Sequence, residues 1–254
     1  MRMPTLIAHR LGRAYGPDSS AQALAGALAG GVEALETDIC LTADEQLVCL
    51  HDPLLPLGST LRGWATERSA AEIRSSWLLG RDGQPSDQHP LLLDELLALI
   101  PGDLPLQLEV KAHADRELAA RTARMLCERY RRERPRLEVI SFHSSACATA
   151  AAYGYFSRLV VWTDNSPAEL AAWARRRGVA GVSVEHFLLT TALTRAFRRA
   201  GLSVNTGTVN DVELALRAIQ LGAPDAICTD RPLELRRELA AARGETATPA
   251  ALAS

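Results

Sequence analysis

The sequence predicts an α/β protein folded as a closed (β/α)8 TIM barrel, on three observations. Short apolar runs alternate with longer amphipathic stretches along most of the chain, the rhythm of βα units that build a parallel sheet. Many of the short runs are rich in Val, Ile or Leu on successive residues, as suits strands buried on both faces. About eight such units fit into 254 residues, the usual length of such a barrel. On periodicity alone, an open doubly wound sheet is the competing arrangement.

A first strand at 5–9 leads to helical periodicity at 20–29. The second strand, 34–39, runs instead into a tight turn at 40–46 (Thr42, Ala43, Asp44, Glu45) and a third strand at 47–50. A long excursion at 53–90, broken by Pro53, Pro56, Pro85 and Pro90, precedes a helix at 91–100. The rhythm then becomes regular, with strands at 105–110, 137–142, 159–162, 179–184, 202–205 and 226–228. Helices at 116–132, 146–153, 168–177, 192–200, 212–221 and 233–243 follow them in turn. Asp115, Ser144, Ser166, Thr190 and Asn210 stand near helix starts, where a short polar side chain can accept from an orphan N–H. Gly154, Gly178, Gly201 and Gly222 stand just after helices, where a left-handed residue is wanted. The tail, 244–254, small and polar without periodicity, reads as a flexible end, leaving 1–243 as one domain with an insertion at 53–90.

Composition narrows the function. Apolar residues make up 47% and charged residues 23%, enough for a large core. The formal charge of −2, from 28 basic and 30 acidic residues, gives no electrostatic reason to expect nucleic acid as a partner. Five scattered cysteines (Cys40, Cys49, Cys127, Cys147, Cys228) show no C-x-x-C pair. The opening residues lack a signal-peptide apolar core, and no run approaches the roughly 18 to 20 apolar residues of a membrane span. These features predict a cytoplasmic protein without stable membrane insertion. Oligomeric state is left open.

Reactive groups in such a barrel come from the C-terminal ends of strands. His9-Arg10 follows Leu6-Ile7-Ala8, and His51-Asp52 follows Leu47-Val48-Cys49-Leu50. Glu36 and Asp38 stand at i and i+2, hence on one face of a strand, as do Glu109 and Lys111. Each has an ordinary reading: a solvent-facing strand, a hydrogen-bonded core histidine, a cross-strand ion pair. Together those readings weaken, because the strands are otherwise apolar and buried unpaired charge is strongly unfavourable. One divalent cation would neutralise Glu36, Asp38 and Glu109 at once. All-oxygen ligands select a hard ion, Mg²⁺, Ca²⁺ or Mn²⁺, over zinc. His9 and His51, with ordinary pKa values near about 6.5, suit proton transfer at neutral pH. Arg10 and Lys111 offer positive charge to a phosphate. Hard metal, two acid–base groups and two cations are what phosphodiester cleavage requires. His143 and Glu185 lie at two further strand ends, where they would contact substrate.

Several of these segments, in order and spacing, resemble the glycerophosphodiester phosphodiesterase family. They are Ile7-Ala8-His9-Arg10, Gly16-Pro17-Asp18-Ser19, Gly31 to Asp38, and Leu41-Thr42-Ala43-Asp44 through His51-Asp52-Pro53. Later matches are Leu106 to Lys111, Ile140-Ser141-Phe142, Gly207-Thr208-Val209-Asn210 and Ile227 to Pro232. The resemblance implies His9 and His51 as the acid–base pair, Glu36, Asp38 and Glu109 as metal ligands, and Arg10 and Lys111 on the phosphate. It implies a small-molecule diester cleaved to glycerol 3-phosphate and an alcohol, in some members through attack by a neighbouring substrate hydroxyl. It places the family's insertion within 53–90.

Three positions depart from the family pattern. Leu11 replaces a glycine, although leucine avoids positive φ. Asp18 replaces a glutamate of longer reach. Gly207 replaces a tryptophan, which predicts a missing pocket wall and a wider alcohol preference. Phospholipase D-type action on lysophospholipids or a specialised metabolite is one alternative, and a non-catalytic phosphodiester-binding barrel another. A zinc amidohydrolase would want His-x-His after the first strand, where this chain has His9-Arg10-Leu11.

Overall fold

In the computed structural model, which describes residues 3–222 and 224–244, nine strands form one sheet in the order β1-β9-β8-β7-β6-β5-β4-β2-β3, and β1–β2 pairing closes it. The strands are β1 (Thr5–Ala8), β2 (Ala34–Leu41), β3 (Leu47–Cys49), β4 (Leu106–Val110), β5 (Leu137–Ser141), β6 (Phe156–Val161), β7 (Gly181–Glu185), β8 (Ser203–Gly207) and β9 (Ala226–Thr229). Only β3 is antiparallel, folded back on β2 through the turn at 42–46. The remaining eight are parallel, with helices between them, which is the (β/α)8 TIM barrel. The open sheet is thereby excluded.

Helices α1 (Ala21–Ala29), α2 (Ala70–Arg74), α3 (Leu93–Leu99), α4 (Arg116–Arg129), α5 (Ser144–Ala152), α6 (Pro167–Arg177), α7 (Thr191–Arg199), α8 (Val212–Gly222) and α9 (Pro232–Ala242) cover the barrel. Side chains alternate across each strand. Leu35 and Ile39 of β2 and Leu106, Leu108 and Val110 of β4 join the main apolar cluster with residues of α1, α3, α4 and α5. Glu36, Asp38, Gln107 and Glu109 therefore point inward. The lumen is polar at both ends. A cavity of about 540 Å³ at the strand starts is lined by Gln107, Glu138, Arg158 and Asn205 among others. There Arg158 pairs with Glu138 and donates to Ser203 Oγ at 2.7 Å.

The excursion after His51 carries the short helix α2 and two 3-10 turns, Leu55–Leu57 and Ala65–Glu67. It is pinned by a small apolar cluster of its own, in which Leu55, Ala65, Ile73 and Leu78 pack on Cys40, Val48 and Leu50 of the β2–β3 region.

Asp115, Ser166 and Thr190 cap α4, α6 and α7 as expected. Two of the expected caps do not form. Ser144 is the first residue of α5, and Asn210 leaves the start of α8 to Asp211, which accepts from Leu214 N at 3.0 Å. Gly222 is the last residue of α8, where a Cβ would come within 2.3 Å of Thr194 Oγ1. Close packing, not a left-handed turn, explains that glycine. The expected flexible tail lies outside the described residues from 245 onward. Among the described residues no helix is long and apolar enough to cross a membrane.

Candidate active site

Strand register builds the acidic cluster. Asp38 and Glu109 are Cα partners across the parallel β2–β4 pair, one step beyond Glu36 and Gln107. One carboxylate oxygen from each of Glu36, Asp38 and Glu109 lies within 4.8 Å of the others. All three side chains are buried, Glu36 and Asp38 at 2% and 1% exposure. Glu36 Oε2 accepts from Arg10 N at 2.8 Å, whereas its Oε1 is buried without a hydrogen bond. Asp38 Oδ2 also lacks one and lies 3.6 Å from Arg10 Nε. Burial and neighbouring Asp38 push the Glu36 carboxyl up to about 8. Burial would raise Asp38 too, but Lys111, His51 and Arg10 outweigh it and hold that group at about 2. Buried, converging, incompletely bonded carboxylate oxygens suit a hard cation.

Two cations frame the cluster. Lys111 Nζ lies 3.0 Å from Asp38 Oδ1 and 2.5 Å from Glu109 Oε1. Burial works against its ammonium, but those two carboxylates keep its pKa above the usual lysine value. Arg10 reaches Asp18, which also meets Arg13 Nε at 2.8 Å. The shorter acid at position 18 thus retains a grip on two arginines.

Both histidines line this cup, and each has an aspartate on Nδ1. His9 Nδ1 lies 2.6 Å from Asp230 Oδ1, and His51 Nδ1 lies 3.0 Å from Asp52 Oδ2. Nε2 is then the nitrogen each imidazole has left for the cup. Burial disfavours charge on His9, but the Asp230 hydrogen bond and the Glu36 charge prevail and raise its pKa above 6.5.

Asp230, just before α9, is the partner of His9 that sequence reasoning did not single out. That helix has Arg231 at its cap with no side-chain cap bond. Asp230 instead accepts from Asn210 Nδ2 at 2.7 Å, and Asn210 Oδ1 receives Asp230 N at 2.8 Å and Thr229 Oγ1 at 3.0 Å. The available signal was an acid directly after the β9 apolar run, the position His9 occupies after β1.

Glu185, half-buried at the end of β7, joins the cup lining, and burial raises its pKa. His143 does not line the cup; it borders the adjoining cleft. His113 packs edge-on against Trp64 at 4.4 Å, and His89 stacks on Trp77 at 3.9 Å.

Two of the departures look different in three dimensions. Leu11 does take a left-handed backbone, φ 64°, with its side chain fully buried. The conformation costs roughly 1–2 kcal/mol, and burying a leucine returns a similar or larger amount, about 1.5–3 kcal/mol. At Gly207 a Cβ would lie 2.7 Å from Cys228 Cβ and 3.2 Å from Cys228 O. β9 therefore crowds the root of any side chain at this position, and Gly207 itself lines the cup.

The cup itself is small, about 180 Å³. Two clefts adjoin it, and both reach His51 and Asp52. One, about 350 Å³, is walled by Phe142, Trp162, His113 and His143. The other, about 400 Å³, is walled by Arg10, Arg13, Leu57, Leu78 and Arg81. The arrangement can bind an anion against Arg10 and Lys111 while two imidazoles exchange protons with it.

Comparison with known proteins follows the same lines. The glycerophosphoryl diester phosphodiesterase family matches residues 9–234. Probable glycerophosphodiester phosphodiesterase 2 of Mycobacterium tuberculosis is 27% identical over 229 residues, covering 85% of this chain and 82% of that protein. A putative glycerophosphoryl diester phosphodiesterase of Silicibacter pomeroyi superposes with a TM-score of 0.83 at 25% identity, covering 97% and 96% of the two chains. A phosphodiesterase of Oleispira antarctica, solved in complex with the product sn-glycerol-3-phosphate, shares the fold with a TM-score of 0.81 at 24% identity, covering 93% and 97%.

Proposed function

The chain belongs to the glycerophosphoryl diester phosphodiesterase family and is a phosphoric diester hydrolase, and from that premise we propose that it cleaves glycerophosphodiesters to sn-glycerol 3-phosphate and an alcohol, using His9 and His51 beside one divalent cation. The observation that carries this reading is the convergence of Glu36, Asp38 and Glu109 in the cup lined by both imidazoles. Residues 1–243 serve as one catalytic domain, and the free cysteines suit a reducing, cytoplasmic setting.

Glu36, Asp38 and Glu109 would hold Mg²⁺ or Ca²⁺. The ion would supply neutralising charge for the phosphate oxygens. Arg10 and Lys111 bind the non-bridging oxygens and orient phosphorus toward the imidazoles. His51 Nε2 accepts the proton of the nucleophile, either water directly or a neighbouring glycerol hydroxyl. His9, whose protonated form the Asp230 hydrogen bond favours, gives its Nε2 proton to the departing alkoxide. Attack by the glycerol hydroxyl first forms a cyclic phosphate, which water then opens to glycerol 3-phosphate with the proton roles of the two imidazoles reversed. Glu185 accepts a hydrogen bond from a substrate hydroxyl at the rim, and His143 contacts the alcohol from the adjoining cleft.

Release of glycerol 3-phosphate from glycerophosphocholine, followed by an enzyme-coupled assay, tests the reading. Turnover should require Mg²⁺ or Ca²⁺ and vanish in His51→Ala. Turnover unaffected by chelation and by that substitution would contradict it.

A second reading rests on the cleft walled by Phe142, Trp162 and His113. Its aromatic lining, with Trp162 61% exposed, suits an acyl chain, which makes lysophospholipids alternative substrates. Faster cleavage of lysophosphatidylcholine than of glycerophosphocholine would favour them.

A further inference from the structure

The second cleft has the opposite chemistry. Arg81 projects from a tight turn in the excursion, closed by Gly80 N to Gln84 O at 2.7 Å and Gly83 N to Gly80 O at 2.9 Å. Its exposed guanidinium makes no hydrogen bond or ion pair among the described residues. Arg13, from the loop after β1, enters the same cleft. It meets Asp18 through Nε at 2.8 Å, its charge also acts on Asp230, and its terminal nitrogens make no hydrogen bond or ion pair among the described residues.

Both carboxylates of the cleft are already engaged, Asp18 by Arg10 and Arg13 and Asp52 by His51. The cleft therefore presents surplus positive charge beside the cup. The scissile phosphate does not account for Arg81, because Arg10 and Lys111 already stand next to the acidic cluster. A diester has two alcohol arms, and the two clefts give them separate paths from His51. The volume of about 400 Å³ is ample for a small polyol bearing a further group.

We propose that the Arg13–Arg81 cleft is a subsite for an alcohol arm that carries its own negative charge, a phosphorylated polyol being the fitting class. The inference rests on the phosphodiesterase reading above. Arg81 is its selecting residue: a guanidinium recognises a phosphate monoester through paired N–H groups, while a choline-like cation meets repulsion there. The contact is solvent-exposed, so its effect is modest and salt-sensitive.

The test compares glycerophosphoglycerol with the same diester phosphorylated on its distal glycerol, following loss of each diester at low ionic strength. Wild type should cleave the phosphorylated form with kcat/KM about fivefold higher, the fold-change of one exposed ion pair. Arg81→Gln should bring the two substrates to equal rates by slowing only the phosphorylated one, and Arg81→Lys should keep part of the preference. Salt at about 0.5 M should erase it in wild type. Equal rates in wild type, or an unchanged ratio in Arg81→Gln, would overturn the subsite and leave the phosphodiesterase reading standing. Failure to cleave either diester, with metal present, would overturn the reading on which the subsite rests, and the subsite with it.

Discussion

His9 Nδ1 and Asp230 Oδ1, 221 positions apart in the chain, lie 2.6 Å from each other because β1 and β9 are neighbours in the closed barrel. The pair fixes the tautomer and the ring orientation of His9, and Asn210 fixes Asp230 in turn. In the proposed reaction Asp230 would act through His9, as a positioning residue.

Asp230→Asn is expected to lower kcat by about 10- to 100-fold, part of what a positioned acid contributes. The pH profile separates this from simple misfolding. As the proposed general acid His9 must carry a proton, so activity should fall as pH rises through its elevated pKa. Without the Asp230 charge that pKa drops, and the alkaline limb of kcat should move to lower pH. An unshifted limb would show that Asp230 does not govern His9.

The same pair makes stability depend on pH. The depressed Asp230 pKa contributes stability that is present above about 3.8 and lost as pH falls through the folded value. The raised His9 pKa contributes stability that is complete below 6.5 and lost as pH rises through its folded value. The Tm difference between wild type and Asp230→Asn should therefore peak near about pH 5–6 and narrow on both sides. A difference that widens toward pH 9 would contradict this.

Leu11→Gly is expected to destabilise the protein by about 2 kcal/mol. Relief of the left-handed backbone returns roughly 1–2 kcal/mol, but emptying a fully buried leucine site costs about 3–5 kcal/mol. Denaturant unfolding checks the sign: a gain in stability would mean that backbone strain dominates.

Glu138→Gln should cost about 3–5 kcal/mol, because it leaves the Arg158 guanidinium charged and buried at the lower end of the barrel. Activity per folded molecule should be retained, since the ion pair lies at the end of the lumen opposite the acidic cluster. A loss of kcat in fully folded protein would contradict the separation of the two ends.

Much of the fold and the acidic cluster was legible in the chain because polar residues break otherwise apolar strands. Glu36, Asp38 and Glu109 stand out for that reason, and the i, i+2 spacing of Glu36 and Asp38 already assigns those two a face. What escaped depends on contacts between distant segments. Asn210 looks like an ordinary helix cap, and Asp230 like an ordinary loop acid, until β8 and β9 bring their loops together beside His9. The close approach of Gly207 to Cys228 likewise appears only when β8 and β9 are side by side. Leu11 looks incompatible with its turn because the burial that offsets the left-handed φ is a tertiary effect. Arg81 sits in a proline- and glycine-broken stretch with no periodicity, so only the folded excursion places it beside His51.

The proposed chemistry requires Glu36, Asp38 and Glu109 to hold one divalent cation within reach of both imidazoles. Calorimetric titration of Mg²⁺ or Ca²⁺ into chelator-treated protein at pH 8, beside the glycerophosphocholine assay on the same samples, tests it most directly. A single binding site that restores turnover is expected, with both binding and turnover lost in Glu36→Gln. Full turnover by chelated wild type, or unaltered binding in the variant, would contradict it.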